Sequence, residues 1–167
     1  LEDAHIPVEN LLGEIGQGHK IAFNILNIGR FKLGAASIGG AKNVITETVK
    51  YANERQQFGR PISQFGAIKH KLAEMATSIE AARWLTYCAG ARKDAGQRVT
   101  RESAMAKLFA SEVAVQVANE AVQIHGGYGF IKEYGVEKFY RDVKLCTIGE
   151  GTSEIQKLVI ARQLLKE

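Results

Sequence analysis

The chain has 167 residues, 46% hydrophobic and 24% charged, the balance of one globular domain with a real core and not of a disordered or fibrous protein. Its net charge of +4 arises from 22 basic and 18 acidic residues with the signs interspersed, so no basic block marks a nucleic-acid surface, although an anionic small ligand would be favoured. Cys88 and Cys146 stand far apart without metal-ligand spacing, which argues against a disulfide framework or zinc site and for a reducing setting, and no apolar run is long enough to span a bilayer.

Residues 1–18 read as strand or loop: Ile6-Pro7-Val8-Glu9-Asn10, then Leu11-Leu12-Gly13, resemble the tail of a preceding β-rich domain, and a start at Leu1 without methionine hints at a piece of something larger. From about His19 to Arg55, apolar residues such as Ile21, Ile25, Ile28, Ile38, Val44 and Ala52 recur at three- and four-residue steps, which predicts a long helix. Glycines 29, 34, 39 and 40 lower its intrinsic propensity and predict close approach by a neighbouring helix or a ligand. The segment Phe58-Gly59-Arg60-Pro61-Ile62 breaks the pattern. A second helix is predicted from Ala67 to near Gly96, and a third from about Thr100 to Ile124, stopping at Gly126-Gly127. A helical turn around Val136–Arg141 precedes a last helix from about Ser153 to Leu165, with Ser153 and Gln156 at the spacing of a capping box. Four long helices with short links predict an all-α, antiparallel up-and-down four-helix bundle over residues 19–167.

No metal site is expected, because His70 with Glu74 and Glu120 with His125 lack the Glu-x-x-His step of bundle metal centres. "HGGYGF" follows a helix and lacks the Lys-Ser/Thr ending of a phosphate loop, so alone it reads as a helix C-cap. Taken together, "ERQQFGRPI", "AVQIHGGYGF" and "GEGTSEIQ" are three glycine-punctuated breaks at bundle ends, each with polar or aromatic residues, as close approach to a flat cofactor would require. In the last of them Glu150 stands between Gly149 and Gly151, outside the capping box and unexplained by it.

"YANERQQFGRPISQFGAIKHKLAEMA" and "AVQIHGGYGFIKEYGVEKFYRDVKLCTIGEGTSEIQKLVIAR" closely resemble the C-terminal helical domain of the flavin-dependent acyl-CoA dehydrogenases, in order and from Ile6 to the end. The resemblance implies FAD as cofactor and a fatty acyl-CoA thioester held between flavin and bundle. It implies Glu150 as the base that removes the α-proton while the β-hydrogen leaves as hydride to flavin N5, the desaturation step of fatty acid β-oxidation. A thioester α-proton is a weak acid, so its base must be aligned and partly desolvated. One branch of the family carries the base immediately before the position of Arg30; here that residue is Gly29, which favours Glu150.

The family's substrate contacts match Asn27, Arg30 and Gly151, against the plainer reading of Arg30 as a helix-surface ion pair. Its flavin contacts match Arg55 and Phe58, the stretch Gln123, Ile124, His125, Gly126 and Gly127, and the helix start Thr152, Ser153 and Glu154, some reaching across a homodimer or homotetramer. Two departures stand out: Gly66 replaces a glutamine common in short- and medium-chain members, and Gly149 replaces an aromatic residue before the base. Together with "NIGRF" and "GFIKEYGVE", these look nearer the long- and very-long-chain branch. An electron-transfer flavoprotein is the implied acceptor, and the bacterial cytoplasm or mitochondrial matrix the implied location. Two rival readings are an acyl-CoA oxidase, returning electrons to oxygen, and a helical oligomerisation module without chemistry of its own. The fragment alone, lacking a β domain, is expected to be inactive.

Overall fold

A computed structural model describes residues 2–165. Its helices are α1 (Gly18–Glu54), α2 (Gly66–Asp94), α3 (Thr100–His125), α4 (Val136–Val143) and α5 (Ser153–Leu164), and a single ladder pairs β1 (Gln56–Gln57) with β2 (Arg60–Pro61) among these residues. The expected all-α bundle is therefore present, its ends within a residue or two of the sequence reading. Leu1 of the predicted lead-in and the last two residues of the predicted bundle lie outside the described residues.

Helix α3 lies at the centre, packed against α1, α2, α4 and α5. Its sequence explains this: Ala104, Ala106, Ala110, Ala114, Ala118 and Ala121 are all buried, and such small side chains let neighbouring backbones approach closely. Larger groups fill the space around them, with Ile38 and Val44 from α1, Met75 and Ile79 from α2, Val113 and Val117 from α3, and Val143 from α4 in one continuous core. Full burial of each Ile, Val or Met stabilises the fold by roughly 1.5–3 kcal/mol before entropy is counted.

Two local features differ from the sequence reading. The break after α1 is a tight β-hairpin whose two loop residues, Phe58 (φ +52°) and Gly59 (φ +78°), both take the left-handed backbone of a type I′ turn. Strands of two residues are too short to show an alternating pattern, so only the turn signal was visible. At α5 the N-cap is Thr152, whose hydroxyl accepts from the Ile155 amide at 3.4 Å, and not Ser153, which is the first helical residue. Gln156 does not close a capping box; its side chain turns back to the residues before the helix. The lead-in is loop with a single 3-10 turn at Val8–Asn10, and it leaves Ile6, Val8, Leu12 and Ile15 exposed.

Candidate active site

Glu150 sits in the turn between the 3-10 segment after α4 and the start of α5. Its backbone is left-handed (φ +57°), as is that of Gly151 (φ +93°). For a residue with a side chain this costs on the order of 1–2 kcal/mol. Glycine at 151 meets the requirement without strain, and a Cβ there would stand 2.9 Å from Gln156 Nε2.

The turn aims the Glu150 side chain across to α1. A Cβ built on Gly29 would overlap the carboxylate, with Oε1 2.8 Å away, so the missing side chain at Gly29 is the space the carboxylate occupies. Glu150 Oε2 is buried and has no hydrogen-bond partner. A buried, unpartnered carboxylate oxygen is costly unless a ligand or reaction uses it.

The neighbouring residue on α1 is Arg30, only 6% exposed, which removes the reading of it as a surface ion pair. Nη1 donates to Asn27 Oδ1 at 2.9 Å, and Nε is buried without a partner. Burial pushes the guanidinium below its ordinary value, and the charge of Glu150 acts against that shift. Asn27, Arg30, Glu150 and Gly151 are therefore gathered from α1 and the α4–α5 connection, with a charged acceptor and a charged donor each holding unused hydrogen-bonding capacity.

Beneath the turn are two groups that motif and periodicity did not single out for chemistry. Lys107 on α3 is fully buried and donates from Nζ to the Gly151 carbonyl at 2.7 Å. Burial pushes its ammonium below the ordinary lysine value, while Cys146, Glu112 and Glu150 raise it and Arg30 lowers it further. Gln156, also fully buried, donates from Nε2 to the carbonyls of Glu150 (3.0 Å) and Gly151 (2.9 Å). The signal for Lys107 was present in the sequence as a lysine at an apolar position of α3, between Ala104 and Ala110.

The remaining expected residues fall into two other regions. A cleft of about 530 Å³ is lined by Arg55, Ile124, His125, Gly126 and Gly127, with Tyr51 and Tyr128 beside them. Gly126 (φ +60°) caps α3, and Arg55 lies over the Tyr128 ring at 5.2 Å. A cation, aromatic faces and side-chain-free backbone suit the nucleotide part of FAD, so these residues fit the implied cofactor. His125 itself is a packing residue: Nδ1 donates to the Ala121 carbonyl at 2.8 Å, and the ring stacks on Tyr51 at 4.2 Å. Phe58 is 93% exposed at the hairpin tip, outside this cleft and edge-on to Phe65; Gln123 is exposed as well. Thr152, Ser153 and Glu154 line a smaller hollow of about 350 Å³ with Lys144, Thr147 and Ile148.

An unpartnered carboxylate and a buried arginine at one place, and a glycine- and arginine-lined cleft at another, define a helical bundle with two ligand-facing regions, and comparison gives the family. Residues 16–165 match the acyl-CoA dehydrogenase C-terminal domain, and the chain belongs to that family. It is 48% identical over 165 residues to the mitochondrial short-chain specific acyl-CoA dehydrogenase of Rattus norvegicus, covering 99% of this chain and 40% of that protein. It is 47% identical over 167 residues to the caffeyl-CoA reductase-Etf complex subunit CarC of Acetobacterium woodii, covering 100% of this chain and 44% of that subunit. The butyryl-CoA dehydrogenase of Megasphaera elsdenii superposes with a TM-score of 0.93 at 45% identity, over 96% of this chain and 42% of that one. The chain thus spans less than half the length of these relatives.

Proposed function

We propose that the chain is the C-terminal catalytic domain, residues 19–167, of a flavin-dependent acyl-CoA dehydrogenase that α,β-desaturates a fatty acyl-CoA, with Glu150 as the base for the α-proton. The observation that carries this is the Glu150 carboxylate, partly buried in the notch of Gly29 with Oε2 free, on a backbone held against its preference. A desolvated base without a competing donor takes up a carbon-bound proton more readily than a solvated one. Asn27 and Arg30 would orient the thioester's CoA-bearing part, the guanidinium adding charge to its hydrogen bonds. The Gly151 backbone, free of a side chain, would let the reacting carbons approach.

When bound, FAD supplies the acceptor for the β-hydrogen. Arg55, Ile124, Gly126, Gly127 and the backbone of His125, with Phe58 and Gln123 exposed outside the cleft, would hold the nucleotide part of the FAD carried by a neighbouring subunit. Thr152, Ser153 and Glu154 would complete the contact at the start of α5. That sharing implies a homodimer or homotetramer, and exposed Trp84, Tyr87 and Phe109 supply apolar surface for one. An electron-transfer flavoprotein is the proposed partner and, for desaturation, the electron acceptor; the name of the Acetobacterium relative, a subunit of an Etf complex, supports the kind of partner. The proposed setting is the bacterial cytoplasm or mitochondrial matrix; among the described residues no helix is long and apolar enough to cross a membrane.

The Acetobacterium relative is among those named reductases, and a single carboxylate can serve either direction, since a protonated Glu150 would return its proton to the α-carbon. The test is therefore a panel of saturated and α,β-unsaturated thioesters, from butyryl to palmitoyl, on the full-length enzyme beside its Glu150→Gln variant. General-base removal should lower flavin reduction by about 10²–10⁴-fold with every saturated thioester. Near-normal reduction by the variant would exclude Glu150 as the base.

A further inference from the structure

The carbonyls of the two consecutive left-handed residues, Glu150 and Gly151, are both taken by buried side chains from below. Lys107 reaches from α3 and Gln156 from the first turns of α5, so the turn is fastened to two different helices. Both side chains fill core space, but filling it does not require their polar ends. No carboxylate lies within salt-bridge distance of the Lys107 ammonium among the described residues. A fully buried ammonium held by a neutral carbonyl is expensive, and a methionine would fill the same space without that cost. Gln156 likewise spends both its amide hydrogens on this turn and leaves Oε1 buried without a partner.

We propose that Lys107 and Gln156 are positioning residues, which lock the Glu150–Gly151 turn in its left-handed form and so keep the Glu150 carboxylate in the Gly29 notch. Without them the turn is free to relax toward negative φ, which swings the side chain out of the notch. This inference rests on the reading of Glu150 as the base. It adds two residues that touch neither thioester nor flavin and act only through the backbone carbonyls of the turn.

The test uses the full-length protein with Lys107→Met, Gln156→Met and, as control, Glu150→Gln. Wash-out of α-deuterium from a saturated acyl-CoA into water, followed by NMR under anaerobic conditions, reads the base directly, and steady-state turnover and melting temperature are measured beside it. Each Met variant should lose at least about tenfold in wash-out and in kcat, with KM within about threefold, since a misplaced base affects the transition state and not ground-state binding. Wash-out at the normal rate per folded molecule would overturn the proposal even if the melting temperature fell, as would failure of both Met variants to fold. If Glu150→Gln itself washes out deuterium normally, the base assignment falls. The tether is then judged by crystal structures of the Met variants, where Glu150 retaining its left-handed backbone against Gly29 would overturn it.

Discussion

A side chain at position 29 and the Glu150 carboxylate would claim the same space, so the proposed role of Glu150 makes Gly29, which bears no chemistry, a position on which activity should depend. Gly29 lies within α1, where alanine would ordinarily be better than glycine by about 0.8–1.0 kcal/mol in helix propensity. The added methyl, however, would take the place of the carboxylate. Gly29→Ala should therefore leave the melting temperature of the full-length enzyme equal or higher while reducing kcat by at least about tenfold, because a base displaced by an ångström is poorly aligned with its proton. A stable variant with normal turnover would show that Glu150 works from another position. Gly149 presents no such conflict, since a Cβ there meets only ordinary contacts with Leu145 and Leu33. What fixes the Glu150 carboxylate in the proposed reading is therefore the turn that follows Gly149, not the absence of a side chain at 149.

At the scale of elements, α5 shows why helix starts are hard to read. Thr152 and Ser153 are adjacent and both can cap, so sequence spacing favours Ser153 with Gln156, whereas the folded chain uses Thr152 and commits Gln156 to the turn. Thr152→Ala should cost about 0.5–1 kcal/mol, at the low end for a cap because the 3.4 Å bond is long. Ser153→Ala should cost less, as measured by chemical denaturation of the full-length protein; the reverse order would restore Ser153 as the cap. The same limit governed the rest of the sequence reading. Three- and four-step periodicity sustained over 26 to 37 residues made each of α1 to α3 plain, and Glu150 was visible as an acid that capping did not explain. Periodicity placed Lys107 on the buried face of α3, but not what it does there, because its carbonyl partner lies 44 positions away. The left-handed backbone of Glu150 was equally hidden, because the glycines on either side suggested that they alone would take such angles.

For the molecule as a whole, one buried group links stability to acid. His125 joins α3 to the Tyr51 side of α1: its ring stacks on Tyr51, its carbonyl accepts from the Tyr51 hydroxyl at 3.2 Å, and Tyr134 packs edge-on to both rings. Burial pushes its pKa below the ordinary 6.5, outweighing the Ala121 carbonyl and the charge of Glu47, which raise it. Between the lowered folded value and 6.5 the unfolded chain binds more protons than the folded one, so stability rises with pH across that window. Acidification from neutrality therefore destabilises the fold, with the loss beginning as the pH falls past about 6.5 and levelling off below the folded value. Replacing the imidazole by a ring that cannot titrate isolates this contribution from that of the carboxylates. His125→Phe keeps the aromatic contact and the backbone carbonyl that Tyr51 uses, at the loss of the Nδ1 bond to Ala121. Melting temperatures of the full-length protein between pH 7.5 and 5.5 should accordingly fall less in His125→Phe than in the wild type, whatever the absolute stability of the variant. Equal falls in the two proteins would mean that His125 keeps its ordinary pKa in the fold and that the stacked ring is open to water.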